Sequence, residues 1–505
     1  MKLGWNLAAG LANSISSAVI VLAVTPLYLK FVGIEAYGLI GFFVLLQSLF
    51  GLLDMGLAPT INREVARGSI AKDQGEVRDL LHTVALIYWG LAAVTAAAMV
   101  WAAPFIGAHW LNASDLPPAM VAQAVMLMAL IVAVRFPIGL YGGVLLGAQH
   151  MVAASLIEVT MIAAANIGAV VVLAWVSPTI QAFFVWQASV AVIYVVTIRA
   201  VAWRTLGRSE AVRGPRFDGA ALRRIWRFAG AMAVTALLGT FFLQSDKLVL
   251  SRIVSLAALG QYTLAGVAAR SLYLFMTPAF SAIYPRLSAL HAEGDNAQVK
   301  ILYKSGTRLL MAIIFPAAGF IGLFATDIMT LWTGNAGLAA AVTPLVRLLL
   351  FGTALNGAMH LPYALQLACG KSSLAMWISL ILVVAFAPLV IVLALSYGAV
   401  GAAAAWAILN TLYLFLGTYM THRSLLPGEG LRWLARDVGT PFAIAAVVTV
   451  GGGYLVQLLP LAEVWRLLLG ALLAGAACLL SVASSGELRR GALRLRSRYL
   501  LSPGN

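Results

Sequence analysis

The sequence predicts an all-α integral membrane protein with about fourteen transmembrane helices. Hydrophobic residues make up 62% of the 505 residues and charged residues only 10%, and the mean hydropathy is +0.95. The apolar residues fall in blocks of about 18 or more, and at about 1.5 Å per residue such a block crosses a hydrocarbon core of about 30 Å. Ordinary soluble domains do not have this composition.

Several of the breaks between apolar blocks contain proline or glycine, as at Pro117-Pro118 and Pro427-Gly428. The first block follows Lys2 and begins like a secretory signal, but it is too long for one and further blocks follow it. We therefore count it as the first span. The predicted transmembrane helices lie at residues 3–29, 36–58, 83–107, 119–145, 152–176, 179–198, 228–250, 257–283, 309–326, 341–367, 373–395, 397–420, 438–459 and 464–484.

Lysine and arginine are distributed unequally between the two sides of the predicted membrane. With the N-terminus inside, 26 of the 33 lysines and arginines fall in inside segments, and the outside loops keep only Lys30. Because positive charge is enriched in cytoplasmic loops, this asymmetry predicts that both termini are cytoplasmic. The net charge of +15 therefore follows from orientation in the membrane and does not indicate nucleic-acid binding.

The longest inside connection carries eight arginines between residues 199 and 227. Asp218 is placed to cap a short helix that lies on the inner membrane surface. Leu222, Ile225 and Trp226 would face the membrane, and the arginines would reach anionic headgroups. Anionic membrane lipids are therefore predicted partners of this segment.

An internal repeat with an offset of 222 places the second group of six predicted spans over the first without a gap. The outside turn 32–38 falls on 254–260, and the basic inside loop 62–80 falls on 284–302. Six is an even number, so two such lobes would be parallel repeats facing each other across a cavity, an arrangement suited to alternating access. The predicted organisation is an N-terminal six-helix lobe (1–204), a basic cytoplasmic linker with the surface helix (205–227), a C-terminal six-helix lobe (228–425), two additional transmembrane helices (438–484) and a basic cytoplasmic tail (485–505).

The sequence contains no recognisable catalytic or metal-binding constellation, and we predict no catalytic residue, metal or cofactor. Cys369 and Cys478 lie at the end of one predicted span and inside another, which predicts no disulfide. A membrane glycosyltransferase, polymerase or ligase is the enzymatic alternative. Such chemistry needs acids or arginines in sizeable outside loops, whereas the longest outside stretches here are about a dozen residues with at most one acid each.

Charged residues inside the predicted spans are the candidate functional residues, because an unpaired charge at the bilayer centre costs at least about 2.5–3.5 kcal/mol. Four cations are predicted to line a cavity and bind phosphate groups, the arginines being suited to bidentate contact. The alternatives are internal salt bridges between helices or snorkelling to an interface. The four are Arg270, which is nearest to mid-span, Lys247, Arg135 and Arg347.

Three acids, Asp54, Glu158 and Asp246, also lie inside predicted spans. They are interpreted as members of structural ion pairs or, alternatively, as sites that couple transport to H+ or Na+. Arg63 and Arg67 are the expected partners of Asp54. Asp246 and Lys247 are adjacent and point about 100° apart around a helix, so we expect that they do not share a partner.

Short motifs in the same order along residues 1–425 resemble those of polysaccharide flippases of the Wzx type. In the first half they are Phe31-Val32-Gly33-Ile34-Glu35-Ala36-Tyr37-Gly38-Leu39, Leu53-Asp54-Met55-Gly56-Leu57 and Arg63-Glu64-Val65-Ala66-Arg67. In the second half they are Ser245-Asp246-Lys247-Leu248-Val249-Leu250, Leu259-Gly260-Gln261-Tyr262, Tyr284-Pro285-Arg286-Leu287-Ser288 and Leu331-Trp332-Thr333-Gly334.

The resemblance implies the fold of the multidrug, oligosaccharidyl-lipid and polysaccharide exporter superfamily. It implies a substrate made of an oligosaccharide on undecaprenyl pyrophosphate, exported for O-antigen, lipopolysaccharide or exopolysaccharide synthesis. The implied location is the bacterial cytoplasmic (inner) membrane, with a polysaccharide polymerase and chain-length proteins as partners. The first predicted span carries no charge, unlike the arginine-bearing first span expected of peptidoglycan-precursor flippases, which argues against lipid II as the cargo. A multidrug or cation antiporter of the same superfamily is the alternative, although it would favour an acidic cavity.

Overall fold

The computed structural model is built from α-helices that confirm the predicted fold class. It describes residues 2–54, 56–71, 74–207, 216–219, 223, 237, 239–241 and 243–485. Most of the predicted surface helix, including Leu222, Ile225 and Trp226, lies outside the described residues, as does the tail 486–505.

The described chain divides into two compact units, residues 1–263 and 264–505. Unit 1 contains α1 (Lys2–Phe50), α2 (Leu57–Ala71), α3 (Gln74–Phe105, continued by a π-helical turn Ile106–Trp110), α4 (Pro118–Arg135), α5 (Ile138–Gly147), α6 (Met151–Trp175), α7 (Ile180–Thr205) and α8 (243–253). The boundary between the units falls within α9 (Leu256–Arg270).

Up to residue 485, where its described part ends, unit 2 continues with eight further helices. They are α10 (Tyr273–Ala292), α11 (Asn296–Leu323), α12 (Ala325–Thr333), α13 (Ala336–Ala358), α14 (His360–Ala368), α15 (Ser372–Leu425), α16 (Gly430–Gln457, with two π-helical stretches) and α17 (Glu463–Ala483).

Ten segments of the described chain are long and apolar enough to cross a membrane. Two of them, α1 and α15, are each broken by a glycine with a positive φ, Gly33 (79°) and Gly398 (59°), so each contains two helices. A residue with a Cβ rarely adopts this backbone conformation. The predicted spans are mostly helical in the described residues, but several contain short breaks, as at Phe136-Pro137 and Ser271-Leu272, and 36–58 and 228–250 are described only in part. The count of fourteen transmembrane helices stays a prediction.

Helix boundaries recur in the two halves at the register that the sequence repeat predicts. α3 begins at Gln74 and α11 at Asn296, and these two positions are equivalent in the repeat. The break between α4 and α5 contains Pro137, and the break between α13 and α14 is at the equivalent position, Met359. Proline disfavours a continuous helix and methionine does not. The two halves therefore break at the same register although the residues at the break differ.

Glycines allow helices of the same unit to approach closely. The position of a Cβ on Gly143 of α5 would lie 2.8 Å from the carbonyl oxygen of Ala58, and one on Gly352 of α13 would lie 2.6 Å from the Trp406 ring. Any side chain at these two positions would force the helices apart. Close helix contact over small residues is a general feature of membrane proteins.

Candidate functional site

The predicted outside turn of the first half contacts the corresponding turn of the second half, within unit 1. A Cβ on Gly38 would clash with the carbonyl oxygen of Leu256, and a Cβ on Gly260 would clash with the carbonyl oxygen of Ile34. The two turns therefore touch through their backbones, and both glycines are required for this approach.

The loop between α3 and α4 reinforces this contact. The Leu256 N–H donates to the Asn112 carbonyl oxygen at 2.8 Å, and Asn112 Nδ2 donates to the Arg252 carbonyl oxygen at 3.1 Å. The Glu35 carboxylate, which is 6% exposed, accepts the backbone N–H groups of Ser114 and Asp115. We call this set of contacts, between residues 34–38, 110–115 and 251–260, the outer clasp.

Arg135 ends α4 and lies beside α1 and α7. Its Nη2 donates to Gln187 Oε1 at 2.8 Å, and its Cζ lies 5.8 Å from the centroid of the Phe43 ring. Its Nε is buried and makes no hydrogen bond within the described part of the chain. Because a guanidinium offers five N–H donors, Arg135 retains donor capacity for an anionic ligand.

Glu158 of α6 is exposed, and its Oε2 accepts a hydrogen bond of 2.7 Å from Asn13 Nδ2. Tyr194 interacts electrostatically with both Glu158 and Arg135. The predicted structural ion pair of Glu158 is not found among the described residues, where an amide occupies that position. An exposed carboxylate with a neutral partner keeps oxygens available for a cation.

The prediction that Asp54 pairs with Arg63 or Arg67 is wrong. Arg67 pairs with Glu64 at 3.3 Å. Asp54 instead caps α2, accepting the Ala58 N–H at 3.2 Å, and it also accepts the Tyr88 hydroxyl. A carboxylate at a helix N-terminus satisfies N–H groups that have no partner within the helix and complements the helix dipole, and Asp54 makes this contact with α2.

Asp246 and Lys247 lie close to each other and make hydrogen bonds to different further partners. Lys247 Nζ lies 3.7 Å from Asp246 Oδ1 and 3.1 Å from Gln244 Oε1. Asp246 Oδ2 accepts the Tyr262 hydroxyl at 2.5 Å. The long, flexible lysine side chain reaches back toward Asp246 although the two Cβ atoms point in different directions. Lys247 is thus held by protein groups, which weakens its assignment to phosphate binding.

These contacts predict a modest cost for neutralising either Glu158 or Asp246. We expect Glu158→Gln and Asp246→Asn to impair transport less than loss of Arg270, because Gln and Asn can still accept hydrogen bonds from Asn13 and Tyr262. The measurement is transport by each variant in proteoliposomes with and without an imposed H+ or Na+ gradient. A variant that no longer responds to either gradient would identify its residue as the coupling site and contradict the structural role.

Arg270 is the last residue of α9, at the break before α10. It is exposed, and within the described residues it makes no hydrogen bond or ion pair. The neighbouring Tyr273 interacts with it electrostatically. An exposed arginine inside an apolar span requires a polar environment or ligand, so Arg270 has the properties expected of an anion-binding side chain.

A chain of polar side chains extends from this break into unit 2. The Tyr273 hydroxyl donates to Asn356 Oδ1 at 3.1 Å, and Asn356 Nδ2 donates to Asn410 Oδ1 at 2.8 Å. Asn410 is fully buried, and its Nδ2 donates to the Trp406 carbonyl oxygen at 2.8 Å. The network connects α10, α13 and α15 and orients Tyr273 next to Arg270.

Arg347 lines a cavity of about 440 Å³ between α11, α13 and α16. Its Nε donates to the Gly322 carbonyl oxygen at 3.0 Å, and the side chain is exposed. Every other lining residue is apolar: Phe315, Ala318, Gly319, Gly322, Leu323, Leu350, Phe351, Ala354, Phe442, Ala445, Ala446 and Val450. The cavity therefore combines one cationic group with walls suited to hydrocarbon.

Ion pairs join α11 to α16 and to the turn that precedes it. Arg308 Nη2 lies 2.5 Å from Asp437 Oδ1. Lys300 Nζ contacts one Glu429 oxygen at 2.6 Å, and Lys304 contacts the other. Hydrogen bonds from the two ammonium groups lower the pKa of the Glu429 carboxyl to about 2. The depressed pKa means that this contact stabilises the fold above the ordinary carboxylate range and is lost only as the pH falls toward 2.

The structure thus separates the predicted site residues into groups. In unit 1, Arg135 and Glu158 lie around Tyr194, Asp246 pairs with Lys247, and Asp54 caps a helix. Arg270 and Arg347 belong to unit 2. The sequence interpretation missed the uncharged members of these sites. The available signal was a polar amide within an apolar block, as at Gln187, Asn356 and Asn410.

The fold is that of polytopic membrane transporters. The chain is similar to the lipid II flippase MurJ in an inward closed conformation, with a TM-score of 0.73 and 13% identity over 97% of this chain and 99% of that one. It is also similar to an inward-facing multidrug resistance MATE family transporter of the MOP superfamily, with a TM-score of 0.63 and 14% identity over 82% of this chain and 94% of that one. At these identities the likeness shows the fold alone.

The model of the polysaccharide biosynthesis protein family matches residues 3–291. This match covers more than half of the chain, which therefore belongs to that family. A curated relative, the probable low-salt glycan biosynthesis flippase Agl15 of Haloferax volcanii, is 25% identical over 209 residues. The aligned region is 41% of this chain, and the chain spans 43% of the length of that relative.

Proposed function

We propose that this protein is a flippase that moves a lipid-linked oligosaccharide across the membrane by alternating access. The observation that carries the proposal is the apolar cavity of about 440 Å³ with Arg347 in its wall. A long hydrocarbon chain attached to an anionic group is the ligand chemistry that fits such a cavity. Membership of a polysaccharide biosynthesis family supports a glycan as the remaining part of the ligand.

In this proposal the pyrophosphate of an undecaprenyl pyrophosphate-type carrier binds the exposed guanidinium of Arg270. A planar guanidinium contacts two phosphate oxygens at once, and an arginine that makes no internal ion pair loses little on binding. The carrier chain lies against the apolar cavity, and the substrate serves O-antigen, lipopolysaccharide or exopolysaccharide synthesis. Polymerase and chain-length proteins would then act on the exported product.

A drug or cation antiporter is the second candidate, and the exposed carboxylate of Glu158 favours it. MATE transporters share the fold, and a carboxylate attracts cationic compounds. Arg270, which has no ion pair among the described residues, and Arg347 count against this candidate, because both are cationic and would repel a cation. An enzymatic role has less support, since the curated relative is named a flippase.

Reconstitution of the full chain into proteoliposomes tests the proposal. The vesicles carry an undecaprenyl pyrophosphate-linked sugar with a fluorophore on the sugar, and a membrane-impermeant quencher reports the label that reaches the outer leaflet. We expect a fraction of the inner-leaflet label to become accessible only with active protein. Transport of a lipophilic cation dye in the same vesicles, without movement of the labelled lipid, would support the antiporter instead.

We also propose that the protein lies in the bacterial inner membrane with both termini in the cytoplasm. The excess of lysine and arginine in the inside segments supports this orientation. Reporter fusions at Asn505 and after Gly107 are expected to give a cytoplasmic C-terminus and an external loop, respectively. A C-terminal reporter that is active only outside the cytoplasm would contradict the topology.

A further inference from the structure

One face of α10 carries a regular series of aromatic residues. Tyr273, Phe280 and Tyr284 are seven and four residues apart, and at 3.6 residues per turn these spacings place all three on the same side of the helix. Arg270 lies three residues before the first of them, across the helix break. The series therefore begins beside the proposed anion-binding arginine and extends toward the inner end of the predicted span.

A second series on α13 and α14 pairs with the first. The Tyr273 hydroxyl bonds to Asn356, and the Tyr273 and His360 rings lie 5.7 Å apart. The Phe280 ring lies 6.0 Å from the Tyr363 ring with 23° between their planes, and 5.6 Å from the Tyr284 ring with 17° between their planes. Phe280, Tyr284 and Tyr363 thus present three nearly parallel rings, which we call the aromatic shelf.

One flank of the aromatic series on α10 carries hydroxyl groups, whereas the other flank carries the apolar side chains of Met276, Ile283 and Leu287. Thr277 and Ser281 lie next to the aromatic series on α10, and Thr277 is exposed. Phe275, which is 44% exposed, points about 140° away from Phe280. A helix in a membrane presents its apolar side to lipid and its polar side to protein or to a wet cavity. The hydroxyl-bearing side is therefore the one suited to a polar ligand.

Two of the three shelf rings belong to the second half alone. In the register of the sequence repeat, Tyr273, Phe280, Tyr284 and His360 correspond to Gly51, Ala58, Asn62 and Ile138, whereas Tyr363 corresponds to another tyrosine, Tyr141. The stacked Phe280 and Tyr284 rings are therefore not required by the shared fold, and a role specific to one half accounts better for them.

We propose that the aromatic shelf, together with the hydroxyls beside it, binds the sugar rings of the substrate. A pyranose has an apolar C–H face that packs on an aromatic ring and a rim of hydroxyls that needs hydrogen-bond partners. Phe280 and Tyr363 supply ring surface, and Tyr284 and Thr277 supply hydroxyls. The inference rests on the proposed function, with the pyrophosphate at Arg270 and the sugar toward the inner end of α10.

Two lipid probes separate the sugar contact from the phosphate contact. One is undecaprenyl pyrophosphate alone, and the other is the same lipid carrying a single sugar, tested once with a hexose and once with an N-acetylhexosamine. Binding of each to the full chain is measured in nanodiscs. We expect wild-type protein to bind the glycosylated probes more tightly. Tyr363→Ala should weaken glycosylated binding by about threefold to tenfold, as expected for loss of one aromatic contact, and leave the bare pyrophosphate unchanged.

Control variants distinguish ring stacking from general damage. Tyr363→Phe keeps the ring and should retain most of the affinity for the glycosylated probes. Thr277→Val keeps the shape of the side chain but removes its hydroxyl, and the variant should lose the preference for the glycosylated probes. Phe275→Ala removes an exposed ring from another side of α10 and should change neither probe. The thermal unfolding temperature of each variant shows whether a loss of binding comes from misfolding. If Tyr363→Ala misfolds, Thr277→Val still tests the proposal.

The possible outcomes overturn different statements. Equal wild-type affinity for the bare and all glycosylated probes overturns the sugar subsite and leaves the flippase proposal intact. An equal loss of both probes in Tyr363→Ala, with normal unfolding, makes the shelf structural and also overturns the subsite. Failure of wild-type protein to bind even the bare pyrophosphate contradicts the proposed function itself.

Discussion

Replacing Arg270 by alanine is expected to abolish export while the protein still inserts and folds. Arg270 is exposed at a helix break and makes no ion pair within the described residues, so its removal leaves no buried charge without a partner. A hydrogen bond to a charged group contributes about 1.5–3 kcal/mol, so loss of the phosphate contact should weaken binding by about tenfold or more. The measurement is transport of the labelled lipid-linked sugar at matched protein levels.

The conservative variant Arg270→Lys should retain part of the transport. Lysine keeps the positive charge but loses the planar pair of N–H groups that contacts two phosphate oxygens together. Arg252→Ala is the matched control, because Arg252 is another exposed arginine and lies two residues beyond the end of the predicted span 228–250. Export at the wild-type level by Arg270→Ala would remove Arg270 from the binding site, and an equal defect in Arg252→Ala would show that any lost arginine is harmful.

The hydrophobic blocks predicted the helices because their length and composition leave few other structures in a membrane. The breaks within helices were less predictable. Gly33 and Gly398 lie in segments where the chain turns through a positive φ, and glycine alone allows this without strain. The break after Arg270 contains Ser271 and Leu272, neither of which disfavours a helix strongly, so tertiary packing decides that position.

The partners of the buried charges could not be read from one sequence. Arg308 and Asp437 form an ion pair although they are 129 residues apart, and nothing in the local pattern connects them. The backbone directions of Asp246 and Lys247 did not predict that the lysine side chain bends back to its neighbour. The sequence shows which charged residues lie inside predicted transmembrane spans, and only the three-dimensional packing shows which residues they contact.

The outer clasp gives the transport cycle a specific test. Alternating access requires that the contact between the two turns form in one state and separate in another. The Gly38 and Gly260 backbones touch the opposite turn, and Glu35 fixes the loop that holds Asn112 in place. The contacts between the two turns themselves are made by uncharged backbone groups. They can therefore separate without leaving a charge unpaired, and the clasp is suited to opening and closing.

Cysteines introduced at Ala36 and Ala258, in a background without Cys369 and Cys478, are therefore expected to form a disulfide that stops transport. A disulfide requires Cα atoms within about 7 Å, and the glycine contacts flanking these two alanines place the turns side by side. Crosslinking should occur with a membrane-impermeant oxidant added from outside, and reduction should restore transport. Each single cysteine is the control and should transport normally under oxidant. A pair that never crosslinks, or that crosslinks with no effect on transport, would show that this contact does not separate during the cycle.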